Sequence, residues 1–316
     1  MSFSGMVKEE LFKQTGCAQH CRMAEISALL SVCGHYNAEN SLHFQAENDT
    51  VVRKYFTLLR KTFNIEAEIT VRESCYSKKG SIYSVTLQKE EEINAVLKGT
   101  KLSGEDTYGE MLVFQDGQLL TQRSCCKRAF IRGAFLASGS ISDPEKGYHF
   151  EIVFSDEAKA KQLQTMMCSF QIDAKIVKRK KSYVVYVKEG AQIVDMLAIM
   201  EANISLMNLE NIRIIKEMRN SINRRVNCET ANINKTVNAA VKQAEDIRLV
   251  RDRIGFENLK EGLAETAELR LRYPEATLKE LGMLLHPQVG KSGVNHRLRK
   301  LSELAEKLRE NEEELL

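Results

Sequence analysis

The sequence has 316 residues, 43% hydrophobic and 28% charged, with 46 basic against 43 acidic side chains for a formal net charge of +3. That length suits about two domains of roughly 150 residues, and the composition excludes intrinsic disorder and, with only three Pro, any Pro-rich architecture. No apolar run approaches the ~18–20 residues that cross a bilayer, and the first sixteen residues lack the apolar core of a secretory signal. A soluble cytoplasmic protein with no membrane contact is therefore expected.

In chain order, the first cluster of interest is Cys17, His20 and Cys21, which fall within one helical turn. A structural zinc site normally takes four ligands in two spaced pairs, and no second pair lies nearby. These groups therefore read as buried thiols or bystanders, and neither metal nor cofactor is expected. The eight Cys of the chain, at 17, 21, 33, 75, 125, 126, 168 and 228, show no repeated CxxC. In a chain this long without a secretory signal they predict no disulfide framework.

An internal repeat organises the next two hundred residues. A small-residue helical stretch from Ala24 to Gly34 has a counterpart from Arg132 to Gly139. The run Phe63-Asn64-Ile65-Glu66-Ala67-Glu68-Ile69 returns as Phe170-Gln171-Ile172-Asp173-Ala174-Lys175-Ile176, and Ile82–Leu87 returns as Ser182–Val187. Each copy reads as helix, two strands, helix, two strands, helix. In copy one the later elements fall at Asn48–Phe63, Ala67–Arg72, Ile82–Leu87 and Glu90–Leu97. Copy two has a helix near 125–138, a turn at Asp143–Gly147, a strand over Tyr148–Phe154 and a helix over Asp156–Phe170. A hairpin of Ala174–Lys178 and Ser182–Val187 and a helix over 189–200 complete it. The fold class predicted is α+β: a tandem-duplicated αββαββα domain over 1–220, with repeats at about 21–100 and 125–202, followed by an all-α domain.

Compact residues four apart, Ala28 and Val32 in one copy and Gly133 and Ala137 in the other, let two helix backbones approach closely. Ile26–Gly34 and Ile131–Gly139 resemble the nine-residue LAGLIDADG motif of homing endonucleases. The resemblance implies two motif helices packed on a pseudo-dyad beside sheets that lie along DNA. It also implies an acidic residue at the eighth motif position of each nuclease repeat, where the two carboxylates hold divalent metal. Here those positions hold Cys33 and Ser138, neither of which is the hard oxygen anion that Mg²⁺ prefers. Without converging carboxylates nothing fixes the metals that activate water. Asp143, in a turn past the second motif, is a poor substitute, so no nuclease activity and no catalytic residue are expected.

Lys175, Lys178, Arg179, Lys180 and Lys181 crowd the copy-two hairpin, and Arg72, Lys78 and Lys79 occupy the matching place in copy one. Such cations suit either a solvated strand edge or contacts to phosphate. The Asn-rich segment 221–232 reads as an irregular interdomain linker. Its Arg224 and Arg225 are further candidates for phosphate contact, solvated cations being the default.

The all-α domain occupies 233–316. An amphipathic helix is predicted over Lys235–Ile254, and Asn258 with Glu261 suggests a capping box for the next helix, which ends before Pro274. Thr277 with Glu280 suggests another, for a short helix through Leu278, Leu281 and Leu284. After a turn at His286–Lys291, Ser292 is placed to cap a final helix with Val294, Leu298, Leu301 and Leu304 as its buried stripe. A short helix, a turn and a basic amphipathic helix make a helix-turn-helix. The DNA-binding candidates are Thr277, Lys279, Lys291, Ser292, Asn295, His296, Arg297, Arg299 and Lys300. Asn pairs bidentately with adenine and Arg with guanine.

A degenerate LAGLIDADG duplication followed by a helix-turn-helix resembles the WhiA family of Gram-positive bacteria. The most specific stretches are Arg132–Ala137 with Ser142–Lys146, Asn223–Thr236 and Ser292–Arg299. The resemblance implies a nucleoid-associated, DNA-binding regulator linked to cell division and chromosome segregation, and to transcription control and sporulation in actinomycetes. Lys-rich, Arg-moderate usage with 11 Met suggests a low-GC relative rather than an actinomycete, for which the resemblance implies the division role over sporulation. Double-stranded DNA is the expected partner, with a protein of the transcription or division machinery as a second. The competing readings are a metal-dependent DNA endonuclease using an unrecognised site, and a duplicated domain that binds protein through its sheets.

Overall fold

The computed structural model describes residues 2–16, 18–37, 40–72, 81–103, 112–114 and 119–313, which divide into two compact units, Met1–Glu217 and Met218–Leu316. The first unit opens with α1 (Phe3–Lys13), capped by the Ser2 hydroxyl, which accepts from Gly5 N at 3.1 Å. Copy one follows as α2 (Gln19–Cys33), β1 (Gly34–Asn37), β2 (Ser41–Ala46), α3 (Asp49–Phe63), β3 (Ile69–Arg72), β4 (Ile82–Leu87) and α4 (Glu90–Thr100). The short strands β5 (Leu102–Ser103) and β6 (Val113–Phe114) pair with each other. Copy two comprises α5 (Ser124–Ser138), β7 (Gly139–Ile141), β8 (Phe150–Phe154), α6 (Glu157–Cys168), β9 (Lys175–Arg179), β10 (Ser182–Val187) and α7 (Gly190–Met200). The predicted αββαββα order is present twice.

Local chemistry starts the equivalent helices in the same way. Asn48 accepts from Thr50 N at 2.9 Å ahead of α3, and Asp156 accepts from Ala158 N at 3.0 Å ahead of α6. The two antiparallel sheets share one topology, β1-β2-β4-β3 and β7-β8-β10-β9. Period-two alternation turns Leu42, Phe44, Val85 and Leu87 inward in one sheet, and Phe150, Ile152, Phe154, Val185 and Val187 inward in the other.

Helices α2 and α5 are the core of the unit. Every residue from Ala24 to Ser31 and from Ala129 to Leu136 is buried, the pattern of helices covered on all sides. Gly133 makes the contact possible: a Cβ there would sit 2.6 Å from the Glu25 carbonyl oxygen and 3.0 Å from Ala28 Cβ. A charged cluster runs through this dry interior. The fully buried Glu25 lies 3.3 Å from Lys54 Nζ on α3 and 3.1 Å from Arg132 Nη2 on α5. Arg132 also reaches Glu201 at 2.8 Å, and Lys54 donates to the carbonyl oxygens of Leu11 (3.2 Å), Phe12 (3.3 Å) and Gln14.

The long helix α8 (Asn203–Ile254) corrects the reading of 221–232 as irregular, for all of that segment is helical. No Gly or Pro interrupts residues 203–254, and bonds four residues apart, Arg225 to Glu229 at 3.2 Å and Thr236 Oγ1 to Asn232 O at 2.9 Å, lie along it. Asn lowers helix propensity only slightly, whereas Gly255, at φ +80°, follows its end.

The second unit continues through a 3-10 turn (Phe256–Asn258), α9 (Glu261–Arg272), α10 (Leu278–Leu284) and α11 (Lys291–Glu313). Its core gathers Ile247, Val250, Ala267, Leu281, Leu285, Val294, Leu298 and Leu301. The Thr277–Glu280 capping box forms as expected, with Thr277 N donating to Glu280 Oε2 at 2.7 Å and Glu280 N to Thr277 Oγ1 at 3.3 Å. Two caps differ from expectation. Asn258 donates back to Ile254 O at 2.7 Å, so α9 starts behind Lys260 without a side-chain cap. Ser292 lies inside the first turn of α11, because the helix already begins at Lys291, with Val294 N bonded to Gly290 O at 3.1 Å.

Candidate nucleic-acid interface

The eighth motif positions fall at the C-terminal ends of α2 and α5. Cys33 is half-buried, and burial pushes its thiol up to about 12, against the opposing pull of Lys8. Ser138 Oγ donates to Val153 O at 2.7 Å. Cations approach these ends: Lys8 lies beside Cys33 and 5.8 Å from the Phe135 ring centroid, and Lys159 donates to Ser31 O at 2.9 Å. Asp143 Oδ1 is engaged in its own turn, accepting from Glu145 N at 3.0 Å. A neutral thiol and a committed hydroxyl among ammonium groups make a poor hold for Mg²⁺.

The basic hairpin does not present a single cationic face. Register places Arg179 opposite Ser182 and Lys178 opposite Tyr183, so the two side chains leave opposite faces of the sheet. Arg179 Nη1 meets Glu151 Oε2 at 3.0 Å, and Lys178 Nζ lies 5.4 Å from the Tyr183 ring centroid. Lys180 and Lys181 occupy the exposed turn, Lys180 in the left-handed region at φ +54°. In copy one Arg72 ends β3, and Lys78 and Lys79 lie outside the described residues. Arg224 and Arg225 are exposed on α8, with Arg225 paired to Glu229.

On α11 the arrangement is different. Helical spacing puts Val294, Leu298 and Leu301 into the core and leaves Lys291, Ser292, Asn295, His296, Arg299 and Lys300 exposed on the opposite side. Thr277 and Lys279 are exposed at the start of α10, the Thr277 hydroxyl being used as its cap. The turn between α10 and α11 is tightly fixed. Val289 N donates to Gly282 O at 3.0 Å, and a Cβ on Gly282 would come 2.1 Å from Val289 O. His286 N donates to Glu265 Oε1 at 2.9 Å, tying the turn to α9.

One sequence candidate faces elsewhere. Arg297 Nη1 donates to Gly262 O at 3.0 Å and lies 3.4 Å from Thr266 Oγ1, so its guanidinium clips α11 to α9. Arg299 holds Glu303 at 3.2 Å in an exposed pair, which costs little to exchange for another partner.

Sequence reasoning missed the cluster at the other end of the motif helices. His20, Cys21, Cys125 and Cys126 bring their donor atoms within 4.8 Å of one another. Cys125 and Cys126 are the second pair that the local sequence around Cys21 lacks. Burial, together with the neighbouring Cys125 and Cys126 thiols, pushes the Cys21 thiol up to about 12. Cys17 lies outside the described residues. The repeat carried the signal, since the register that aligns Gly34 with Gly139 also aligns Cys21 with Cys126 and His20 with Cys125.

Known proteins match along the whole chain. Family models for the WhiA N-terminal LAGLIDADG-like domain, the WhiA LAGLIDADG-like domain and the WhiA C-terminal HTH domain match residues 19–103, 127–219 and 222–305. A protein of Lachnoclostridium phytofermentans named probable cell division protein WhiA is 58% identical over 314 residues, covering 98% of this chain and all of that one. A protein of the same name from Desulforamulus reducens is 46% identical, over 99% of this chain and 98% of its own. The crystal structure of full-length DUF199/WhiA from Thermatoga maritima shares the fold, with a TM-score of 0.60 at 24% identity over 97% of this chain and 99% of that one.

Proposed function

The chain belongs to the WhiA family, and on that premise we propose that it is a DNA-binding regulator that grips duplex DNA without cutting it. The reading extends to cell division and chromosome segregation, with transcription control as the means. The relatives' name, probable cell division protein, supports the first of these roles. Within this reading the protein works on the nucleoid, and residues 233–316 select the site.

The observation that carries the proposal is the exposed face of α11. Lys291, Ser292, Asn295, His296, Arg299 and Lys300 project from a helix whose other side is locked into a core and whose entry turn is fixed. A helix held in this way can enter the major groove with its first turns against base edges while the cations meet phosphate. Asn295 and Arg299, one turn apart, are assigned to base edges, and Lys291 and Lys300 to phosphates. Arg297 is left out of the reader set because it is engaged inside the unit.

Mapping of bound sites across the genome gives the cognate sequence, and titration of the full chain against it tests the assignment. Asn295→Ala and Arg299→Ala should each lose about 1–3 kcal/mol on the cognate duplex, with much less change on unrelated duplex. Equal losses on both would reduce the residue to a phosphate contact. Supercoiled plasmid incubated with the protein and Mg²⁺ or Mn²⁺ should stay uncut. Nicking by the pure chain would restore the endonuclease reading.

A further inference from the structure

The first turns of α2 and α5 come from different copies of the repeat, yet they deliver four metal-binding side chains to one point. His20 Nδ1 lies 3.3 Å from Cys21 Sγ and 3.2 Å from Cys126 Sγ, and all four donor atoms, Cys125 Sγ included, fall within 4.8 Å. Ligands about 2.3 Å from a shared tetrahedral ion stand roughly 3.7 Å from one another. The four donors therefore need to move only slightly to surround one ion. We propose that His20, Cys21, Cys125 and Cys126 form a structural zinc site that staples the two repeats together across the pseudo-dyad.

The donor set selects the metal. Three thiolates and an imidazole in tetrahedral reach suit Zn²⁺, whereas Mg²⁺ and Ca²⁺ require oxygen. All four positions are filled by protein, the closed arrangement of a structural rather than a catalytic zinc. Cys21 is 9% exposed and Cys126 3% exposed, so half the site is already shielded from water.

The surroundings suit the negative charge that three thiolates leave around one Zn²⁺. His20 and Cys21 lie in the first turn of α2, and Cys125 and Cys126 in the first turn of α5, where the positive ends of both helix dipoles point. Neither N-cap, Ala18 nor Arg123, supplies a side-chain acceptor. Arg123 Nη1 lies 3.5 Å from His20 Nε2 and adds a cation at the rim. With zinc on Nδ1, Nε2 carries the proton, and this exposed arginine must swing aside to sit over the thiolates.

The full chain, expressed without a polyhistidine tag and purified under reducing conditions, should carry one zinc per chain by elemental mass spectrometry. Cys21→Ser and Cys126→Ser should each lose it, while Cys168→Ser, at an exposed thiol outside the cluster, should keep it. A second measurement needs no variant. Metal-free protein loaded with Co²⁺ should show the visible bands of a tetrahedral cobalt thiolate and a near-ultraviolet sulfur-to-cobalt transition, and Zn²⁺ should bleach both. Background metal content with no cobalt bands overturns the proposal. So does a Cys21–Cys125 or Cys21–Cys126 disulfide in the metal-free protein that persists under reduction, or zinc retained by Cys21→Ser and Cys126→Ser alike. DNA affinity plays no part in these readouts, so they stand apart from the regulator reading.

Discussion

The two units differ in where the charges most telling of their tasks lie, although the second also buries Asp246 and Arg270. In Met1–Glu217 the informative charges point inward: Glu25, Lys54 and Arg132 are almost wholly buried and held by one another and by backbone carbonyls, with Arg132 Nε left without an acceptor. In Met218–Leu316 they point outward along α11, where Lys291, Arg299 and Lys300 stand in solvent. The difference separates two tasks. A charge that has found its partner inside the fold sets geometry, and only one that has not is available to a phosphate or a base. The test is what happens when a charge is removed from each unit.

The largest effect is expected in the buried cluster. Glu25→Ala strands Lys54 and Arg132 without their shared carboxylate in a dry interior. Removing one partner of such a group costs about 3–5 kcal/mol, so thermal unfolding of the first unit should move down strongly. Replacement by Gln, which keeps hydrogen bonding but not charge, should recover part of the loss. A Glu25→Ala chain that melts like the wild type would mean that water already reaches the cluster.

Next comes the α10–α11 turn. Gly282→Val forces a side chain against Val289 O, and overpacking of this kind costs typically about 1–3 kcal/mol. It should weaken binding to all duplexes alike, because it displaces the whole reader helix. Arg297→Ala sharpens the comparison within α11 itself. It removes a charged hydrogen bond to Gly262 O worth about 1.5 kcal/mol. The melting temperature of the second unit should fall while the preference for cognate over unrelated DNA persists. A selective loss on cognate DNA would return Arg297 to the reader set.

These expectations also mark what the sequence can reveal. The duplication, its order of elements along the chain and the Thr277–Glu280 box are legible because each rests on short spacing or on matching blocks. The helical nature of 221–232 is not, because frequent Asn masks the absence of any Gly or Pro. Glu25 gives no local sign of its role, since its partners come from α3 and α5 and only the tertiary fold joins them. The His20–Cys126 cluster lies between these cases. No local window contains both pairs, yet the repeat register that reveals the duplication superposes them. The inward-turned guanidinium of Arg297 is illegible for the same reason as Glu25, its acceptor lying on another helix.

The smallest expected effect concerns the β9–β10 hairpin. Its neighbours already engage three of the five hairpin cations, Arg179 with Glu151, Lys178 over Tyr183 and Lys175 with Asp173. Lys180 and Lys181 remain at the exposed turn, so any contribution to DNA binding rests on them. Removing one phosphate-neutralising cation lowers the dependence of log affinity on log salt by about 0.9. Lys180→Ala with Lys181→Ala should therefore flatten that slope by up to about 2, with equal effect on cognate and unrelated duplex. Base preference should not change, because a turn lysine meets backbone rather than base edges. An unchanged slope would group this hairpin with the inward-facing charges of its unit and leave α11 and its flanks as the whole of the DNA interface.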